Sequence, residues 1–318
     1  VKKLFGVLAV LAVLLGAFGA YTYFNAAGGE AASALEAKYL SADDRFVDIG
    51  GARVRVRIEG DDAAPPIILV HGFTHSLETW DAWAAVLKAD HRVIRYDLMG
   101  HGLTGPDPKK RYSPIERAQT IGDIMDALNI DRAHIAGNSL GGLAAWRFAS
   151  DRPERVEKLI LISPGAYPLN GAADAPAEIP AAMKVYLMTA PEAGVRASAG
   201  YIYADDAKIT DERVTVMRDM MHREGNGEAL IHSLEEFTLP DPAEALSRIT
   251  APTLILWGEG DMIIPIQQGK DMAAVIPNAT LIAYPGVGHA AQEEAPAETV
   301  ADAIAFLNGA AAAPMEAE

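Results

Sequence analysis

The chain has 318 residues, half of them hydrophobic and 22% charged, which is apolar material enough for a large buried core. A formal net charge of −16 repels phosphate backbones and argues against nucleic acid as a partner. The chain holds no cysteine, which excludes disulfides, thiolate nucleophiles and Cys-ligated zinc.

Lys2 and Lys3 precede an uncharged run from Leu4 to Phe24. As a helix it spans roughly 30 Å, the thickness of a bilayer's hydrocarbon core. Residues 1–24 read as a membrane anchor, with Tyr21, Tyr23 and Phe24 suited to the interface. The alternative is a signal peptide cleaved near Ala17-Phe18-Gly19. Either reading expects the rest of the chain outside the cytoplasm, membrane-anchored and periplasmic in a Gram-negative bacterium, or secreted. Residues 25–44 are small and polar and read as a tether, helical toward its end.

The globular pattern begins near Arg45. "RFVDIG" and "ARVRVRI" alternate with period two around Gly50-Gly51, the signature of a hairpin with one wet face. "PPIILVHG" is a continuous apolar run, as a strand buried on both faces requires. "HRVIRYDL", "AHIAGNS", "VEKLILISP", "PTLILWGEGD" and "ATLIAYPG" complete the strands. Helical patterns run from Leu77 to Leu87, Pro114 to Leu128, Leu140 to Ala149, Pro265 to Val275 and Pro296 to Leu307. Strands alternating with helices predict an α/β fold, a mostly parallel sheet covered on both faces.

No buried strand appears between Pro164 and about Pro240. Short amphipathic stretches such as "ERVTVMRDMMHRE" fill the gap, which is too long for a loop. Residues 164–240 therefore read as a helical cap inserted between two strands, lying over the carboxyl edge where parallel sheets place their sites. The core comprises 45–163 and 241–308, and residues 309–318 read as a disordered tail.

The segment Gly137-Asn138-Ser139-Leu140-Gly141 follows a strand and opens a helix, the context of a nucleophile elbow. Small residues permit the sharp turn that exposes Ser139, and the helix N-terminus beneath it offers free N–H groups. A serine hydroxyl needs a base to take its proton, and the base needs a carboxylate to hold its tautomer. "GVGH" supplies His289 after the last strand, and "LWGEGD" supplies Asp261 after the one before. Glu259 lies nearer the strand end and reads as a solvated loop residue. His71, His75 and His101 flank glycines and read as loop-shaping residues. The backbone N–H groups of Phe73 and Leu140 are the candidate oxyanion donors, with Gly72 permitting close approach. Neither a metal constellation nor a phosphate loop is present, so no cofactor is expected.

In "LVHGF", "YDLMGHGLTG", "AGNSLGG", "LWGEGD" and "GVGH", in that order, the sequence resembles the α/β-hydrolase superfamily, from about residue 45 to 308. The resemblance implies an eight-stranded sheet, a triad of Ser139, Asp261 and His289, and an oxyanion hole from Phe73 and Leu140. Met99 departs from the more usual Arg or Pro in a loop that is not catalytic. Ser139 argues against a dehalogenase or epoxide hydrolase, which would carry Asp there. The expected activity is cleavage of small or apolar carboxylic esters through an acyl-serine. C–C bond hydrolases of ring-cleavage dienoates are the same-fold alternative. They resemble this chain in "GNS-x-GG" and at Ile209-Thr210-Asp211-Glu212, and Arg218 reads equally as their cap arginine or as a solvated helix residue. "HGFTHSLETW" lacks their extra glycines. A non-catalytic binding module on the same fold is the third reading.

Overall fold

The computed structural model describes residue 23 and residues 26–309. Eight strands form one sheet: β1 (Asp44–Ile49), β2 (Ala52–Glu59), β3 (Pro66–Val70), β4 (Arg92–Tyr96), β5 (Ala133–Asn138), β6 (Val156–Ile162), β7 (Thr253–Gly258) and β8 (Ala279–Tyr284). Their spatial order is β1-β2-β4-β3-β5-β6-β7-β8. β2 pairs antiparallel with β1 and β4, and every other pairing is parallel. The central strands are buried on both faces because helices cover both. Leu254, Leu256, Ile160 and Leu69 are fully buried, each contributing about 1.5–3 kcal/mol of apolar transfer.

Helices α2 (Asp81–Leu87) and α12 (Pro296–Leu307) cover one face through Trp83, Leu87, Val300 and Ala303. Helices α3 (Pro114–Ala127), α4 (Leu140–Asp151) and α10 (Ile266–Val275) cover the other. The start of α3 is fixed by its own sequence. Ser113 Oγ accepts the Glu116 N–H, the Glu116 carboxylate accepts the Ser113 N–H, and Pro114 opens the first turn.

Between β6 and β7 the chain leaves the sheet and forms α5 (Ala181–Thr189), α6 (Glu192–Ile202), α7 (Asp211–His222) and α8 (Asn226–Glu235). These helices make the inserted cap. They bury a cluster of their own, including Leu187, Val195, Ile202, Met217 and Leu230, and Phe73 and Ile263 of the core pack against it.

Part of the segment read as a tether is ordered. Helix α1 (Ala32–Tyr39) ends with Lys38 Nζ and Tyr39 Oη each donating to Asp219 Oδ2 of α7 at 2.7 Å. The Tyr39 carbonyl meanwhile accepts from Arg55 and Arg57 of β2. Asp44, between the same two arginines, is pushed up by burial, but the bonds from Arg57 and Arg55 overcome this and hold its carboxyl down at about 2.

The expected membrane-anchored arrangement, with a catalytic domain outside the cytoplasm, requires correction. Among the described residues no helix is long and apolar enough to cross a membrane. The longest of them, α3, has 14 residues, against the roughly 20 that a bilayer core requires. The run Leu4 to Phe24 lies outside the described residues except for Tyr23, and so does the tail from residue 310 onward.

Candidate active site

Ser139 stands between β5 and α4 with φ 53° and ψ −116°, a strained left-handed conformation for a residue with a side chain. The neighbouring glycines explain how the chain tolerates it. A Cβ on Gly137 would strike the Gly141 carbonyl, and one on Gly141 would strike the carbonyls of Val70 and His71. The elbow thus packs backbone against backbone, and the strain falls on the one side chain that is presented. Ser139 caps α4 through its carbonyl, which accepts the Leu143 N–H at 2.9 Å. The first N–H groups of α4, beginning with Leu140, have no carbonyl one turn earlier within the helix.

His289 follows β8. Its Nδ1 lies 2.8 Å from Asp261 Oδ2, and the Asp261 side chain is fully buried. Oδ1 of Asp261 accepts the N–H groups of Ile263 and Ile264 at 2.8 and 2.9 Å, so the carboxylate cannot swing away from the ring. Glu259 is exposed. The three residues read from the sequence therefore lie on the turns after β5, β7 and β8. Ser139 and His289 line one cavity of 260 Å³. Among the described residues no hydrogen bond joins Ser139 Oγ to the ring, and such bonds often tighten only around substrate.

Phe73 lies on the same cavity wall. A Cβ on Gly72 would sit 3.2 Å from Ser139 Cβ, so the Gly72-Phe73 peptide runs directly beside the serine. His71 sets that peptide's orientation. Its Nδ1–H donates to the Gly72 carbonyl at 2.8 Å, and its Nε2 accepts the Leu98 N–H at 2.9 Å. Burial keeps this imidazole neutral, its pKa lowered to about 3, and a neutral ring is what this donor–acceptor pair requires.

The remaining cavity wall is mostly apolar: Met183, Tyr186, Leu187, Tyr201, Ile202 and Ile263, drawn chiefly from the cap. The Tyr186 and Ser198 hydroxyls bond each other at 2.8 Å, and Thr74 Oγ1 donates to the Phe73 carbonyl. Arg218 does not line the cavity. It lies 3.6 Å from Asp219 with its side chain 40% exposed. Among the described residues no cluster of His, Asp or Glu is arranged to hold a metal ion.

Three contributors escaped the sequence reading. Asn138 Nδ2 donates to the carbonyls of Ile162 and His289, both at 3.1 Å, tying the elbow to the histidine loop. Glu294 accepts backbone N–H groups from that loop and from the cap. Glu293 accepts from Tyr203 at 2.5 Å, pairs with Arg213 and Thr79, and faces His75 Nε2 at 3.6 Å. Asn138 lay inside the elbow motif and was open to notice. The two glutamates gain their partners from the cap and from distant core loops, which no local pattern announces.

A model of the alpha/beta hydrolase family matches residues 67–303. A protein that carries the name carbamate hydrolase RutD, from Pseudomonas savastanoi pv. phaseolicola, is 31% identical over 77% of this chain and 94% of its own length. A 2-hydroxy-6-oxononadienedioate/2-hydroxy-6-oxononatrienedioate hydrolase of Cupriavidus pinatubonensis is 30% identical over 79% of this chain and 90% of its own. Among solved structures, a bacterial membrane phospholipase A superposes with a TM-score of 0.71, covering 97% of this chain and 98% of that one. At 21% identity, that likeness speaks to the fold alone. With the sheet order, the elbow and this match over most of its length, the chain belongs to the alpha/beta hydrolase family.

Proposed function

We propose that the protein is a serine hydrolase that cleaves carboxylic esters of small or apolar substrates through an acyl-serine intermediate. His289 Nε2 takes the proton from Ser139 Oγ as the oxygen attacks the ester carbonyl. Asp261 holds the ring's Nδ1–H and offsets the imidazolium charge. The N–H groups of Phe73 and Leu140 receive the oxyanion. The alcohol leaves with the proton from His289, and water repeats the cycle to release the acid.

The observation that carries this reading is the cavity. It brings Ser139 and His289 to one apolar chamber, and among the described residues no Lys, Arg, Asp or Glu side chain lines it. A chamber of this kind suits an uncharged ester. The second reading, C–C hydrolysis of ring-cleavage dienoates, is favoured by the name of the 30% identical Cupriavidus relative. A dienedioate is an anion, and burying a carboxylate without a partner is costly. Arg218, the cation the sequence offered for this role, lies outside the lining.

The test is a fluorophosphonate label followed by a panel of p-nitrophenyl esters, an aryl carbamate and a dienoate. Labelling at Ser139, lost in Ser139→Ala with at least a ~10⁴-fold fall in turnover, supports the serine mechanism. Dienoate turnover exceeding that of every ester would transfer the assignment to C–C hydrolysis. A protein that binds esters but neither labels nor turns over is a binding module.

A further inference from the structure

The histidine loop is not held by the core alone. Glu294 is buried, at 2% exposure, and its carboxylate joins two parts of the chain. Oε2 accepts the Gly288 N–H, adjacent to His289, at 2.5 Å. Oε1 accepts the N–H groups of Ala204 and Asp205, just beyond α6 in the cap, at 3.0 and 2.8 Å. The backbones touch at the same place: the His289 N–H donates to the Ile202 carbonyl at 2.6 Å. A Cβ on Gly288 would collide with the Ile202–Ala204 backbone, so the two segments approach as closely as peptide groups can. Lys208, in the cap, reaches back to the Glu294 carbonyl at 2.7 Å. Next in the chain, Glu293 binds Tyr203 and Arg213 of the cap.

We propose that Glu294 is a positioning residue whose carboxylate makes the placement of His289 over Ser139 depend on the docking of the cap. The cap segment from Ile202 to Asp205 and the loop from Gly288 to His289 then move as one body. Cap movements that admit substrate must come from elsewhere, or must carry the base with them. The proposal rests on the reading of Ser139 and His289 as the reacting pair.

The experiment compares wild type, Glu294→Gln and Lys208→Met. The readouts are kcat and KM for p-nitrophenyl acetate and octanoate, the rate of fluorophosphonate labelling of Ser139, and Tm. Glu294→Gln keeps the side chain's size but turns a donor toward N–H groups that need an acceptor. The expected result is a fall in kcat of about 10²-fold, the loss that accompanies a misplacement of about 1 Å. It is equal for both esters, with KM within about twofold and labelling slowed in proportion. Lys208→Met, which loosens the cap without altering the carboxylate, gives a smaller loss of the same kind and decides the matter if Glu294→Gln does not fold. A normal kcat with only a lower Tm, or a loss confined to the octanoate KM, overturns the proposal. Absence of any ester turnover or labelling in wild type would instead overturn the serine-hydrolase reading.

Discussion

The elbow and the histidine loop carry the two halves of one proposed reaction, yet they are built by opposite means. Around Ser139 the determinants are local. Gly137, Gly141 and the first turn of α4 force the backbone into its left-handed kink within five residues. Around His289 the determinants are remote: Asp261 lies 28 residues away, Asn138 151, and the cap segment contacted through Glu294 about 90. A nucleophile made by short-range sterics survives wherever the strand and helix survive. A base held by long-range bonds is only as well placed as the parts that hold it.

This contrast can be tested from both sides, beginning with the largest effect. Asp261→Asn leaves the loop's shape but reverses the hydrogen-bonding preference at His289 Nδ1. The expected fall in kcat is about 10⁴-fold, while Tm moves by only a few degrees, as steady-state kinetics and thermal unfolding would report. Gly141→Ala attacks the opposite half, forcing the elbow away from the Val70 and His71 carbonyls. Displacing the Leu140 N–H from the proposed oxyanion position should cost about 10²–10³-fold in kcat, together with a clear loss of Tm. A G141A protein with normal turnover would mean that the elbow is more pliable than its packing implies.

Asn138→Ala cuts the bond between the halves and leaves the Ile162 and His289 carbonyls without their side-chain donor. Removing a buried partner typically costs about 1–3 kcal/mol, so a fall in kcat of about tenfold is expected, with labelling of Ser139 slowed to match. If only stability changed, the link would serve the fold alone.

The effect expected to be smallest on turnover is graded with pH and concerns stability instead. Burial lowers the pKa of His71 to about 3 and of His134 to about 4, and lowers His75 and His101 as well. These rings are neutral in the folded chain and free to protonate in the unfolded one. The unfolded state therefore binds more protons below about pH 6.5, and stability declines as pH falls from there toward the folded-state values. The slope approaches about 1.4 kcal/mol per pH unit for each such histidine. Urea unfolding at pH 7.5, 6 and 5 should give progressively lower midpoints. A flat profile would mean that these rings are less shielded than the fold implies.

The same division explains what was legible in the sequence. Strands such as "PTLILWG" announce their burial by composition, and the elbow by its glycines, because those signals are short-range. The sequence reading pairs His289 with Asp261 because a serine nucleophile would require both and they follow strands in the right order, and in the structure the two side chains lie 2.8 Å apart. Arg218, open in sequence between a cap arginine and a solvated helix residue, is partly exposed beside Asp219 and does not line the chamber. The Glu293 and Glu294 contacts were not legible, since a glutamate followed by Ala-Pro looks the same in a solvated loop as beneath a cap. The helical end of the tether was legible, but its docking was not: α1 has little amphipathic character, and its bonds run to Asp219, 180 residues downstream.

That last contact bears on where the folded unit starts. A version of the protein trimmed to the first strand would look complete by sheet topology, yet it would strip Asp219 of Lys38 and Tyr39 and leave it Arg218 at 3.6 Å. It would also uncover Met220, which packs with Leu35 of α1. The cap helix that carries Asp219 and Met220 is thus buttressed by residues that a purely modular dissection would discard as a tether.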